Sequence, residues 1–231
     1  MPIHANALAI MAKAPVVGSV KTRLVPPLTQ VQAAEFYRAL LLDQFDHLRN
    51  FAGAKRYVFY APADAGKLFS DLGGIDSAYL PQSDGDLGAR MAQVFIDLWR
   101  LGHRNIVLIG SDVPALPWAI LDEALSQLAK AERRVVFGPS QDGGYYLVGM
   151  NQPTPEVFQE MTWSHDRVLA ETTARLGGLG MSFSLLPTWF DLDVAEDFQR
   201  LRALPKLESR AALTRTLSCL EKFGFWPASK V

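Results

Sequence analysis

Residues 7–24 read Ala-Leu-Ala-Ile-Met-Ala-Lys-Ala-Pro-Val-Val-Gly-Ser-Val-Lys-Thr-Arg-Leu. The apolar run 7–12 shows no polar alternation, the pattern of a strand buried on both faces. It passes directly into a loop with three cations (Lys13, Lys21, Arg23), one glycine (Gly18) and two hydroxyls (Ser19, Thr22). The loop at the carboxyl end of a first strand is where open α/β sheets bind nucleotides. Its cations can balance phosphate charge, and Gly18 lets backbone N–H groups turn toward an anion. Gly18 and Lys21-Thr22 are not spaced as Gly-x-x-x-x-Gly-Lys-Thr, so this is not the phosphate loop of an ATPase. A merely solvated basic loop is the alternative, and the later loops bear on the choice.

Strand and helix signals alternate from there on. Thr29-x-x-Gln32 is a capping box that opens a helix through about residue 50. Further strands are expected at 56–61, 105–109, 134–137, 145–148 and 182–186. Helices are expected at 87–101, 118–130, 165–176 and 208–221, and Asp193-Val-Ala-Glu196 resembles a helix start with Asp193 as N-cap. Such alternation predicts an α/β fold, a mixed, mostly parallel sheet flanked by helices. Neither an internal repeat nor a linker divides the chain. The expectation is one domain over 1–231, with a core at 7–202 and a C-terminal helix and tail at 203–231.

Composition narrows the function. Hydrophobic residues make up 49% of 231, enough for a packed core. A net charge of -1 argues against nucleic-acid or anionic-membrane binding, so phosphate binding must be local. The single cysteine, Cys219, sits in an amphipathic pattern and reads as packing. The start lacks a basic segment followed by a long apolar stretch, and no run is long enough to span a membrane. A cytoplasmic location is therefore expected. The aromatic stretch at 223–226 could dock on the domain or on a partner.

Five more segments carry candidate chemistry. Gly110-Ser-Asp-Val-Pro114 puts Asp112 just past an apolar strand, where a carboxylate can hold Mg²⁺ or Mn²⁺ against phosphate oxygens. Capping of the helix near Trp118 is its structural alternative. Asp142-Gly143-Gly144-Tyr145 offers a base or metal ligand in Asp142, or simply an Asp-Gly turn. In Gln82-Ser-Asp-Gly-Asp-Leu-Gly-Ala-Arg90, Gln82 suits a base edge. Gly85, Asp86 and Gly88 lie at a helix start suited to anions. Arg90 can reach a phosphate or pair with Asp86. Asp191 and Asp193 form a third acidic pair, and Trp163-Ser-His165 falls in the expected acceptor half. His165 could act as a base, with a surface position at a helix end as the alternative. Neither a Cys/His zinc cluster nor a Gly-x-Ser-x-Gly elbow is present.

The segments 13–24, 85–90, 110–114 and 138–147, with Trp163-Ser164 and Asp191-x-Asp193, resemble the DUF2064 family of bacterial glycosyltransferase-like proteins. That family is placed among the nucleotide-diphospho-sugar transferases. The resemblance spans residues 7 to about 202. It implies a single-domain GT-A-type, Rossmann-like fold binding a nucleotide and a divalent metal. By that resemblance Lys13, Lys21 and Arg23 contact phosphates, the 82–90 loop lies near base and ribose, and Asp112 ligates Mg²⁺ or Mn²⁺. Asp142 and Asp193 would face the transferred group. Many glycosyltransferases carry Asp-x-Asp at the metal position, whereas this chain has Ser111-Asp112-Val113. In that respect it is more similar to nucleotidyltransferases of the same superfamily, including phospholactate guanylyltransferase.

Three expectations follow. The first is a glycosyltransferase moving a sugar from a nucleoside diphosphate to a small or lipid-linked acceptor. Asp112 and Asp193 would hold the metal, the loop cations Lys13, Lys21 and Arg23 with Gly18 and Thr22 would hold the diphosphate, and Asp142 would orient acceptor or sugar. Gly143, Gly144, Tyr145, Trp163 and Asp191 would form the acceptor side. The second is a nucleotidyltransferase making an activated nucleotide and pyrophosphate from an NTP and a phosphorylated substrate. The third is a nucleotide-binding protein without catalysis.

Overall fold

The computed structural model describes residues 5–73, 78–130, 132–204 and 211–226. The first apolar run is strand β1 (Asn6–Lys13). It pairs in parallel with β2 (Lys55–Ala61) on one side and β4 (Asn105–Gly110) on the other, setting Ala9 between Tyr57 and Leu108. With β3 (Ala78–Pro81), β5 (Arg134–Pro139), β6 (Tyr145–Met150) and β7 (Ser182–Leu185) the strands form one seven-stranded sheet of order β3-β2-β1-β4-β6-β5-β7. Only β6 runs antiparallel, against β4 and β5. The chain is thus a single α/β domain with a mixed, mostly parallel sheet.

Side chains alternate across each strand, so β1 feeds two cores. Leu8, Ile10 and Ala12 pack with α1 (Gln30–Arg49), α2 (Gly66–Leu72) and α4 (Trp118–Leu128). Ala7 and Ala9 pack on the other face with α3 (Leu87–Arg100) and α5 (Val168–Gly178). This double covering explains why the run reads as continuously apolar. The outer side of α1 buries a third cluster with α6 (Asp197–Ala203) and α7 (Thr214–Lys222). Trp226 is buried there, so the described part of the aromatic tail docks on the domain itself. Asp43, on α1, accepts hydrogen bonds from the N–H groups of Arg215 and Thr216, from the Thr216 hydroxyl and from the Arg215 guanidinium. A buried acid on one helix therefore caps the start of another. Among the described residues no helix is long and apolar enough to cross a membrane.

Several expected boundaries shift. The strand β3 falls where a loop was expected to begin, and α2 follows the turn at Pro62. The helix expected at 165–176 runs from Val168 to Gly178. The last helix starts at Thr214, and the part expected at 208–210 lies outside the described residues. Asp193 is not an N-cap. Helix α6 begins later, and the Asp197 carboxylate accepts the backbone N–H groups of Asp193 and Val194. That leaves the Asp193 side chain available for other contacts.

Candidate functional site

The carboxyl ends of β1 and β4 and the adjoining start of β6 line one cavity of about 650 Å³. Its floor comes from Met11, Leu108 and Val148 on the sheet, and α3 forms one wall. Lys13, Lys21, Thr22 and Arg23 supply the first-loop edge, and Asp112 and Asp193 adjoin it. The chain segment after β7 brings Asp193 there. Trp189 N–H donates to Pro139 O, the Trp189 indole to Pro114 O, and Leu192 N–H to Asp112 O. These bonds lash the 189–193 segment across the ends of β5 and β4.

Lys21 joins the loop to both acids. Its ammonium is 3.0 Å from Asp112 Oδ2 and 2.7 Å from Asp193 Oδ1, and its side chain is only 6% exposed. Burial alone would lower its pKa, but the two acids outweigh burial and raise it. Burial likewise pushes Asp193 up, and Lys21, Arg23 and Lys13 more than reverse this, holding its carboxyl below the usual range. Arg23 stands looser, 3.7 Å from Asp193 Oδ2 and 70% exposed. Lys13 is also exposed at the rim. The Cβ of any residue at 110 would lie 2.5 Å from Asp112 Oδ1, so Gly110 makes room for this carboxylate. Helix α4 has Pro117 at its N-cap with no side-chain bond, so Asp112 does not cap it.

Buried polar groups on α1 hold the loops in place. Tyr37 Oη accepts from Lys13 N–H at 3.0 Å and shares a 2.7 Å hydrogen bond with Ser111 Oγ, tying the ends of β1 and β4 together. Gln44 Nε2 donates to Gly110 O. Burial raises the Tyr37 phenol pKa, which keeps it neutral in this role. Sequence reasoning passed over both residues. Their signal was two polar side chains seven apart on the buried face of an amphipathic helix.

The 82–90 loop changes several assignments. Gln82 Nε2 donates to Ala12 O and Phe59 O, so both amide hydrogens brace the ends of β1 and β2. Only its carbonyl is left to meet a ligand, which weakens it as a reader of a base edge. Asp86 is the N-cap of α3, accepting from Ala89 N–H. Arg90 Nε donates to Gly85 O rather than pairing with Asp86. Gly85, Asp86 and Arg90 line the cavity, whereas Gly88 is packed against Phe158 and Trp163 on the far side of α3.

The expected acceptor residues are more scattered. Trp163 lies against Phe158 and the first turn of α3, outside the cavity. Asp142 Oδ1 accepts from the Ser140 hydroxyl and Gly144 N–H, bracing its own exposed turn. Gly143 has φ +89, and a Cβ there would fall 1.9 Å from Asp166 O. This turn is therefore shaped by packing on the 165–169 segment, where Leu169 N–H donates to Gly143 O. Tyr145 lines the cavity, and burial raises its phenol pKa. Asp191 lies just beyond the lining. Burial first, then the neighbouring Asp112, Asp142 and Asp193 charges, push its carboxyl up to about 7. Gly18, with φ +80, sits beside Gln30 and does not itself line the cavity. His165 Nε2 meets Thr162 O and Nδ1 accepts Arg167 N–H, a local helix-end position.

Among the described residues no three His, Cys, Asp or Glu side chains converge closely enough to hold a metal by themselves. Asp112 and Asp193 nevertheless aim two hard oxygen donors at a single cationic point. That suits Mg²⁺ or Mn²⁺, which commonly take one or two carboxylates and complete their shell with phosphate oxygens and water.

Comparison with known proteins fits this geometry. The profile of the family described as "Uncharacterized protein conserved in bacteria (DUF2064)" matches residues 44–165, and the chain belongs to this family. A crystal structure described as a "putative nucleotide-diphospho-sugar transferase" from Desulfovibrio desulfuricans G20 is 28% identical, with a TM-score of 0.84. The match covers 96% of this chain and 99% of that one. A cytidylyltransferase from Leptospira borgpetersenii serovar Hardjo-bovis shares the fold at 12% identity, TM-score 0.59, over 98% of both chains. A 4-diphosphocytidyl-2C-methyl-D-erythritol synthase from Anaerococcus prevotii DSM 20548 does so at 9%, TM-score 0.52, over 84% of this chain and 94% of that one. No curated protein matches the chain. The fold is that of nucleotide-sugar transferases and nucleotidyltransferases.

Proposed function

We propose that this member of the family is a glycosyltransferase that takes a sugar from a nucleoside diphosphate and passes it to a small or lipid-linked acceptor. One observation carries the reading. Asp112 and Asp193, from loops far apart in sequence, meet at Lys21 on the edge of a cavity rimmed by Lys13, Arg23 and Arg90. Cations that hold phosphate oxygens while a sugar leaves stabilise the negative charge developing on the leaving diphosphate. Lys13 and Arg23 do this at the open rim, and the two guanidinium nitrogens of Arg90 beyond Nε extend it along α3. Asp112 and Asp193 would hold Mg²⁺ or Mn²⁺, which would supply further neutralisation of the diphosphate. The apolar floor at Met11 and Leu108 suits the flat face of a base or sugar. The acceptor would bind near Tyr145 and Asp191.

A second reading, nucleotidyl transfer, is favoured by the lone Asp112 where many glycosyltransferases carry a pair, and by the cation-rich first loop, which suits departing pyrophosphate. One set of incubations separates the two. Purified protein with Mn²⁺ is given a panel of nucleotide sugars, or NTPs with sugar phosphates, and products are resolved by mass spectrometry. Release of nucleoside diphosphate from a nucleotide sugar is the expected result. Pyrophosphate release from an NTP, with no turnover of any nucleotide sugar, would replace the first reading by the second.

A further inference from the structure

We infer that Lys21 is the resident cation of the Asp112–Asp193 pair, and that it leaves this position when a divalent metal binds, becoming free to hold phosphate. The inference rests on the metal–diphosphate reading above. Its basis is the geometry of three side chains. The ammonium lies 3.0 Å from Asp112 Oδ2 and 2.7 Å from Asp193 Oδ1. It is nearly sealed, at 6% exposure, while the acids are 30% and 38% exposed. The carboxylates are thus open to the cavity and the cation is tucked beneath them. A Mg²⁺ ion bonds oxygen at about 2.1 Å. On these same oxygens it would stand within a few ångströms of the ammonium, and like charges that close repel strongly where water is scarce. The pair therefore holds one cation at a time.

Lys21 is suited to such an exchange. Its backbone has φ 48 and ψ 38, a left-handed conformation costly for a residue with a side chain. The first loop thus holds the side chain inward against a local preference, in part through the Leu24 N–H to Lys21 O bond. Four methylenes let the ammonium swing from the acids toward Thr22, Arg23 and Lys13, which line the same cavity. Without metal, Lys21 prevents two adjacent carboxylates from facing each other unpaired, which would otherwise weaken the loops that form the site.

The test follows acetylation of individual lysines by an N-hydroxysuccinimide ester, read by mass spectrometry, in protein stripped with EDTA and then given millimolar MnCl₂ without nucleotide. Lys21 should label at least about 10-fold more slowly than the exposed Lys13 in metal-free protein, since reaction requires an accessible amine. Mn²⁺ should raise the Lys21 rate several-fold and leave Lys13 unchanged, and Asp112→Asn should abolish the Mn²⁺-dependent rise. In parallel, Lys21→Met should bind Mn²⁺ about 10-fold more tightly than wild type by water-proton relaxation, with the competing ammonium gone. Mn²⁺ binding with no change in Lys21 labelling would overturn the exchange and leave the metal–diphosphate reading intact. Absence of Mn²⁺ binding to wild type and to Lys21→Met, with or without nucleoside diphosphate, would overturn both.

Discussion

Replacing Asp191 with Asn should make the metal-free protein less sensitive to rising pH. Asp191 is half-buried among Asp112, Asp142 and Asp193, and its carboxyl is pushed from 3.8 to about 7 by burial first and those charges second. A raised acid pKa means the folded state favours the protonated form. Below pH 3.8 both states are protonated and Asp191 costs nothing. Between 3.8 and 7 the native state binds the extra proton, so stability falls as pH rises, and above 7 the loss is complete. From pH 5 to pH 8 the expected loss is about 2–3 kcal/mol, trimmed by whatever water reaches the carboxylate. Urea melts of both proteins in EDTA at pH 5 and pH 8 measure it, since titrating groups outside the acidic cluster cancel in the comparison. Asp191→Asn should gain about 2 kcal/mol on wild type over that interval. A constant difference between the two proteins across the range would refute the acidic-cluster argument.

Three other perturbations separate stability from ligand binding. Asp43→Ala should destabilise the fold by about 2–4 kcal/mol in urea melts, because it strips the buried cap of α7 and leaves Arg215 and Thr216 donors unpaired. Gln82→Glu should lower the melting temperature more than it alters base preference, since it removes the amide hydrogens held by Ala12 O and Phe59 O and sets a carboxylate against them. A selective change of base preference with unaltered melting would show instead that Gln82 reads the base. Arg23→Ala should weaken nucleoside diphosphate binding about 10-fold and leave nucleoside binding unchanged by calorimetry, as expected for an exposed, charge-assisted contact. Equal losses for both ligands would remove Arg23 from the phosphate role.

Much of the scaffold was legible because strands covered on both faces must be apolar throughout. That is why β1, β2, β4, β5 and β6 stand out in the sequence. The strand β3 was missed because it is four residues long, only half-buried, and ends in Pro81. The direction of β6 was equally hidden, since an apolar run carries no sign of its polarity. In the site, Asp112 could be found because a strand end followed by Gly110 is a local signal. Asp193 was located but partly misread, because Asp197, four residues on, performs the local bonding that Asp193 was expected to do. Gln82 shows the opposite error: a versatile side chain used for bracing. The Lys21–Asp193 contact spans 172 positions and depends on the whole 189–193 segment crossing the sheet, so local pattern could not reveal it. Tyr37 and Gln44 carried a readable signal, polar groups on a buried helix face, that pointed to a role without naming it.

In the proposed function the first loop and the Asp112–Asp193 pair together hold a metal-bound diphosphate. Calorimetric titration of nucleoside diphosphate into wild type and Asp112→Ala, each with Mn²⁺ and with EDTA, tests it most directly. EDTA should weaken binding to wild type at least about 10-fold, and Asp112→Ala should bind weakly and no longer respond to Mn²⁺. Equal affinity in all four titrations would contradict it.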